Sequence, residues 1–230
     1  MDYKRNLKYY NSNDRHFYVG VIIIGVAAVF FAITNILGFD FMPMQTPLCF
    51  GVALVGAVVA FAPSSGRASE GEIDEAVLRA TQKYDEETLE SVHITLSRRI
   101  KPALLGNFVY DGEGVIVRRG RTDRKYRSSK YTVAALLFTN DGVYISQKTF
   151  SLIEDGKDET EMQFAFEDMD GVSTVCEERV FDEKNNTKIW FFVISEGGKE
   201  AARIPVKYNA TVDSLCESIN HAIAEAKAKV

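Results

Sequence analysis

Thirteen consecutive positions, RRGRTDRKYRSSK, hold Arg118, Arg119, Arg121, Arg124, Lys125, Arg127 and Lys130, with Asp123 as their one acid. Guanidinium and ammonium groups at this density hold anions by charge-assisted hydrogen bonds. Three settings suit them: the headgroups of an anionic leaflet, an acidic protein face (this chain's own included), or plain solvation. Beside an anionic leaflet each cation contributes about 1 kcal/mol to attachment. Nucleic acid suits the run poorly, because the chain is acidic, with formal net charge -5. Tyr126 and Tyr131 alone also make a thin stacking platform.

Other chemistry is sparse. The chain carries no H-E-x-x-H, G-x-S-x-G, Walker loop or dinucleotide fingerprint. Asp155 with Asp158 and Glu177 with Glu178 fall in expected turns or exposed strand positions, where solvation explains them. His221 sits on the last helix without a Cys or Ser partner, and His93 has no ligand-spaced neighbour. Cys49, Cys176 and Cys216 lie far apart, with neither a C-x-x-C pair nor zinc spacing. The expectation is a non-enzymatic protein with reduced thiols, no cofactor and no metal.

The elements that carry the basic run divide unevenly. From Phe17 to Phe39 no residue is charged, long enough to cross a hydrocarbon core of about 30 Å at 1.5 Å per residue. A second apolar core, LCFGVALVGAVVAFA, comes after a turn punctuated by Gly38, Asp40, Pro43 and Pro47. The pair predicts a transmembrane hairpin with helices over 17–38 and 45–63. The first run is too long for a cleaved signal peptide and lacks a cleavage site. Lys4, Arg5, Lys8 and Arg15 precede the first span and Arg67 follows the second, so a multi-pass cell-membrane protein with both termini cytoplasmic is expected. Residues 1–16 form a basic cytoplasmic tail. Small residues at four-residue spacing, Ala28/Ala32, Ala53/Ala57 and Gly56/Ala60, allow close helix packing.

Residues 68–104 read as a helical connector. Ser69 and Glu72 have capping-box spacing, and Ile73, Val77, Ala80 and Tyr84 mark one helix face. Leu89, Val92 and Leu96 continue with a shifted phase, which predicts a bent helix or two short ones. The acids Glu70, Glu72, Asp74 and Glu75 suit the helix N-terminus and a face packed on protein. A straight helix of about 30 residues would hold the C-terminal domain about 45 Å from the membrane. Beyond a Debye length of about 8 Å the basic run would sense little lipid charge.

From about residue 105 the period changes to two. Candidate strands are 108–110, 115–119, 131–138, 143–150, 161–166, 172–181, 187–195 and 200–207, seven or eight in all. TNDG, EDGKDE, DMDG, DEKNN and EGGK supply the turns. Val212, Leu215, Ile219, Ala222 and Ala226 form a closing helical stripe, with Asn209 or Thr211 as cap. The predicted class is α+β.

LLFTNDGVYIS (136–146), FAFEDMDGVSTV (164–175) and TVDSLCESINHAI (211–223) together resemble a pleckstrin-homology-like domain of the bacterial PH type, related to GRAM domains. The resemblance covers residues 105–230. It implies an antiparallel β-barrel of about seven strands capped by a C-terminal helix, often attached to membrane spans, that binds or assembles without catalysis. Eukaryotic relatives that grip phosphoinositides use a [KR]-x-R element near the first strands. Lys125-Tyr126-Arg127 and Arg119-Gly120-Arg121 match it, while the leading lysine of the fuller pattern is not clearly present. Two functional classes are consistent with these features. One is a membrane-anchored binding or scaffold protein that contacts anionic lipids or protein partners, with a homo-oligomer among the options. The other is an accessory subunit of a membrane transport or envelope complex.

Overall fold

A computed structural model of the 230-residue chain describes every residue except 13–14, 37–44, 63–65, 93, 183–184 and 230. His93, most of the turn expected between the apolar helices and part of the DEKNN turn lie outside the described residues. The chain divides into two compact units, residues 4–69 and residues 1–3 with 70–230.

The first unit is helical. Helix α1 (Tyr3–Asn11) is followed by α2 (Arg15–Ile36) and α3 (Gln45–Phe61). α2 is 22 residues long, with a mean hydropathy of 2.5 in its apolar window and 17% of that window buried; it is long and apolar enough to cross a membrane. α3 is apolar but shorter, at 17 residues. The two run antiparallel, with Phe17 near the start of α2 edge-on to Phe61 at the end of α3. They meet at backbone distance around Gly20: a Cβ there would stand 2.4 Å from the Gly56 carbonyl oxygen and 2.5 Å from the Ala60 nitrogen. Gly56 and Ala60 thus pack as their spacing predicts, whereas Ala28 and Ala32 face outward. Helix α1 lies within residues 1–16, the segment expected as a tail. Its Tyr9 and Tyr10 are buried, and the Arg5 carbonyl accepts from the Ala68 N–H at 3.1 Å. Arg67 closes the same end by donating to Ser12 Oγ at 3.1 Å.

The second unit is α+β. Helix α4 (Glu70–Ser91) precedes β1 (Ala103–Val109), β2 (Val117–Arg119), β3 (Tyr126–Ser128), β4 (Lys130–Phe138), β5 (Gly142–Ser151) and β6 (Lys157–Ala165). Strands β7 (Met169–Asp182), β8 (Asn185–Glu196) and β9 (Lys199–Val206) and helix α5 (Ala210–Lys227) complete it. All strand pairs are antiparallel, in a four-stranded sheet β1-β4-β5-β6, a β2-β3 ribbon and a three-stranded sheet β7-β8-β9. The core lies between the two larger sheets and α5. It joins Leu136, Phe138 and Ile145 to Phe192, Ile194 and Ile204, and to Val212, Ile219 and Ile223 of α5. Phe166, Met169 and Val172, the three-residue apolar series, all enter it.

Two expectations are corrected. The sheets do not close into a barrel. Among the described residues β6 pairs only with β5 and presents the charged, exposed run Lys157–Glu161, and an edge so charged resists further pairing. Nor does a second helix follow in the connector among the described residues. α4 is a single helix, because Thr88 keeps the buried phase of Ile73, Val77 and Tyr84; Leu89 is exposed, and Leu96 lies beyond the helix end. α4 covers the outer face of the first sheet, where Val133, Ala135 and Leu137 are buried and the Tyr84 hydroxyl donates to Ser146 Oγ at 2.7 Å.

Of the two cap candidates for α5, Asn209 is the cap, accepting from the N–H groups of Thr211 and Val212. The buried stripe is Val212, Cys216, Ile219 and Ile223, and Leu215, Ala222 and Ala226 flank it. It is rotated slightly from the predicted one.

Candidate anion-binding site

The basic run folds as the β2-β3 ribbon. Val117 pairs with Ser128, Arg118 with Arg127 and Arg119 with Tyr126. The tip, residues 120–125, is closed by the Gly120 N–H donating to the Lys125 carbonyl at 2.7 Å, and by the Lys125 N–H donating to Asp123 Oδ1 at 3.0 Å. A Cβ at Gly120 would lie 2.3 Å from Asp123 Oδ1, so a larger residue there would displace the Asp123 carboxylate from its bonds to Arg127. Arg124 sits in the left-handed region at φ 59, a conformation uncommon for a side-chain-bearing residue.

The seven cations separate into different roles. Arg127 is 2% exposed. Its Nε and Nη2 donate to the two Asp74 oxygens of α4 at 2.7 and 2.6 Å. Nη1 and Nη2 donate to the Asp123 oxygens at 3.1 and 2.7 Å. Hydrogen bonds from Arg127, and then from the Lys125 backbone, hold the Asp123 carboxyl down at about 2. Arg127 is thus spent inside the fold on an acidic face of the same chain. Glu70, at the start of α4, adds a second tie, since its Oε1 accepts from the N–H groups of Arg121 and Thr122. Glu70 and Asp74 therefore serve the ribbon, whereas Glu75 pairs with Arg79 on α4 itself.

The remaining cations are distributed around it. Lys130 is half-buried and donates from Nζ to the Glu113 carbonyl at 3.0 Å. Arg118 and Arg119 are half-buried; Arg119 donates from Nε to the Arg124 carbonyl and lies over the Tyr126 ring at 5.6 Å. Arg121, Arg124 and Lys125 are exposed at the tip, with 72% of the Lys125 side chain open to solvent.

Arg119, Arg124, Lys125 and Arg127 also line a cleft of about 680 Å³ between α4 and the β1–β3 side of the sheet. Its walls include Val77 and Leu78 of α4 and the rings of Phe108, Tyr110, Tyr126 and Tyr131. Phe108 and Tyr131 pack edge-on at 5.3 Å. Burial lifts the Tyr110 phenol to about 12 and raises that of Tyr131, so both rings stay neutral. Lys207, just past β9, contributes a further cation. No local pattern in the sequence points to Lys207, Phe108 or the α4 wall, because these groups come from three distant stretches.

Elsewhere, Glu177 is engaged by Arg203, and His221 faces Glu225 at 3.5 Å on the exposed side of α5. Among the described residues no three His, Cys, Asp or Glu side chains are grouped to hold a metal ion. Cys49 and Cys216 are buried, Cys176 is exposed, and none is bonded to another.

No protein-family model, curated protein or solved structure matches the chain.

Proposed function

We propose that this is a membrane-anchored, non-enzymatic binding protein whose ribbon tip contacts anionic lipid headgroups on the cytoplasmic face. The observation that carries the reading is the division of labour in the ribbon. Arg127 is consumed in fixing the ribbon to α4, and that leaves Arg121, Arg124 and Lys125 exposed together at a braced tip.

A two-span anchor is supported by the exposed apolar surface of both helices, including Ile22, Val26, Phe30, Leu54 and Val58. A core helix of a water-soluble protein would be mostly buried. The antiparallel packing of α2 and α3, with Arg5 hydrogen-bonded to Arg67 and Ala68, supports both ends of the hairpin lying on one side. Lys4, Arg5, Lys8, Arg15 and Arg67 make that side cytoplasmic by the positive-inside rule. A PH-like assignment for the second unit draws on its order, a four-stranded and a three-stranded antiparallel sheet followed by one helix. α4 packs on this sheet through Ile73, Val77 and Tyr84.

The test uses the full chain in nanodiscs of phosphatidylcholine, with or without phosphatidylglycerol, and reads amide exchange over residues 118–130. Slower exchange at the tip in anionic discs, reversed by salt and absent in the Arg121→Glu, Arg124→Glu, Lys125→Glu variant, is the expected result. Equal exchange in both discs would overturn it. Copurification with a fixed set of membrane proteins would then favour an accessory subunit of a transport or envelope complex.

A further inference from the structure

We infer that the cleft beside α4 is a binding site for one small anionic amphiphile, a phosphate monoester or carboxylate carrying a short acyl or aromatic body. The inference shares its cations with the proposed lipid contact but concerns a different surface, the interior of the cleft instead of the ribbon tip.

Four observations converge. The volume of about 680 Å³ lies within the range of small-molecule sites, about 300–1,000 Å³. The walls are aromatic and aliphatic: Phe108, Tyr110 and Tyr131 face Val77 and Leu78, and Leu78 is 55% exposed although it is apolar. A body with apolar carbons would remove that surface from water.

The rim is cationic. Among the described residues Asp74 is the one acid on the lining, and it is already bound to Arg127. Arg119, Arg124, Lys125 and Lys207 remain as the attraction for a head of one or two negative charges. They reach the cleft from the ribbon and from the end of β9, so the positive field belongs to the cavity and not to a single loop. Among the described residues neither Arg124 nor Lys207 makes an ion pair.

The fourth observation is Thr81. Its Oγ1 is sealed from solvent and has no hydrogen-bond partner, and the residue lines this cleft from α4. Buried hydroxyls are almost always satisfied. A threonine in mid-helix commonly turns its hydroxyl back to the carbonyl four residues earlier, and Thr81 does not. A turn about its Cα–Cβ bond brings the hydroxyl into the cleft, where a ligand oxygen completes it. Nucleic acid or a bulky polar sugar would fill the rim without using this apolar, hydroxyl-bearing interior.

The experiment titrates the full chain in phosphatidylcholine nanodiscs with hexyl phosphate, inorganic phosphate and hexyl glucoside, reading heat of binding. Hexyl phosphate is expected to saturate one site at least about tenfold more tightly than inorganic phosphate, since two buried methylenes already supply that factor. Hexyl glucoside is expected not to saturate. Leu78→Glu places a charge on the exposed wall without touching the core and is expected to lower hexyl phosphate affinity at least about tenfold. Thr81→Val, of equal shape, is expected to lower it severalfold. Equal affinity for the two phosphates, or no effect of Leu78→Glu with the fold intact by circular dichroism, overturns the inference. Tip protection in anionic discs is read in the same Leu78→Glu variant. Its survival there separates failure of the cleft from failure of the headgroup contact. Competition by lysophosphatidate in the disc assigns a membrane source to the ligand, and its absence assigns a soluble one.

Discussion

Arg127 and Asp74, 53 positions apart, form a two-bond pair at 2.7 and 2.6 Å that joins a fully buried guanidinium to the first turns of α4. The fork geometry matches both carboxylate oxygens, and the far side of the guanidinium is taken by Asp123. Removing one partner leaves a buried charge half satisfied. Asp74→Asn is therefore expected to destabilise the fold by about 1.5–3 kcal/mol, the worth of hydrogen bonds to a charged group. Arg127→Lys should do no better, because an ammonium cannot make the planar bidentate contact. Thermal unfolding of the full chain in micelles checks both. Faster amide exchange across 117–128 would locate the damage.

The same triad sets an acid limit. Asp123 ionises at about 2 in the fold against 3.8 for an unperturbed aspartate, chiefly through hydrogen bonds from Arg127. A depressed folded-state value means the unfolded chain binds the proton first, so stability falls as the pH is lowered. The contribution is complete above about 4 and is lost as pH drops through about 2. Asp123→Asn should flatten the stability profile in that window and leave its shape near neutrality unchanged. An unaltered acid limb would show that Asp123 is not the group responsible.

Asn220 performs a comparable task on the opposite side of the core. Its Oδ1 accepts from the Val172 N–H at 2.8 Å, and its Nδ2 donates to the Val172 carbonyl at 2.9 Å, so one side chain of α5 pairs with β7 as a strand would. The site adjoins the irregularity between Met169 and Gly171. Asn220→Ala leaves both backbone groups part-buried and unpaired, at a cost of about 1–3 kcal/mol each at most. Asn220→Asp keeps the acceptor, loses the donor and should recover only part. Urea denaturation read by circular dichroism measures the difference.

How much of the molecule is legible in its sequence depends on the range of the forces involved. Uncharged apolar length reveals α2 and α3, and local periodicity reveals α4, α5 and most strands, since apolar spacing of 3.6 or 2 is written in neighbouring residues. α1 escapes because it is polar and gains its burial from Tyr9, Tyr10 and a backbone bond to Ala68. The open sheets escape because closure depends on which edges pair, and the charges of β6 keep its edge free. The basic run is plain in the sequence, yet the burial of its central arginine is not. Arginine is rarely buried unless paired, and its partner Asp74 belongs to a helix far away in the chain. The cleft is invisible for the same reason: Thr81, Phe108 and Lys207 have no common local pattern.

Glycines in the apolar helices offer the sharpest comparison of like with like. A Cβ at Gly20 would fall 2.4 Å from the Gly56 carbonyl, 2.5 Å from the Ala60 nitrogen and 2.6 Å from the Ala60 Cβ; two of these are backbone atoms that cannot swing aside. At Gly25 and Gly51, in the same two helices, a Cβ would meet nothing within 4 Å. Gly20→Ala must therefore push α2 and α3 apart, and overpacking of this kind costs about 1–3 kcal/mol. Gly25→Ala and Gly51→Ala should be neutral or stabilising by up to about 1 kcal/mol, because alanine favours a helix over glycine. The measurement is thermal unfolding of the full chain in micelles, together with energy transfer between labels on the two helices. Loss of transfer in Gly20→Ala alone identifies Gly20, with Gly56 and Ala60, as the contact that holds the pair together. Equal behaviour of all three variants would mean that the helices are held elsewhere along their length.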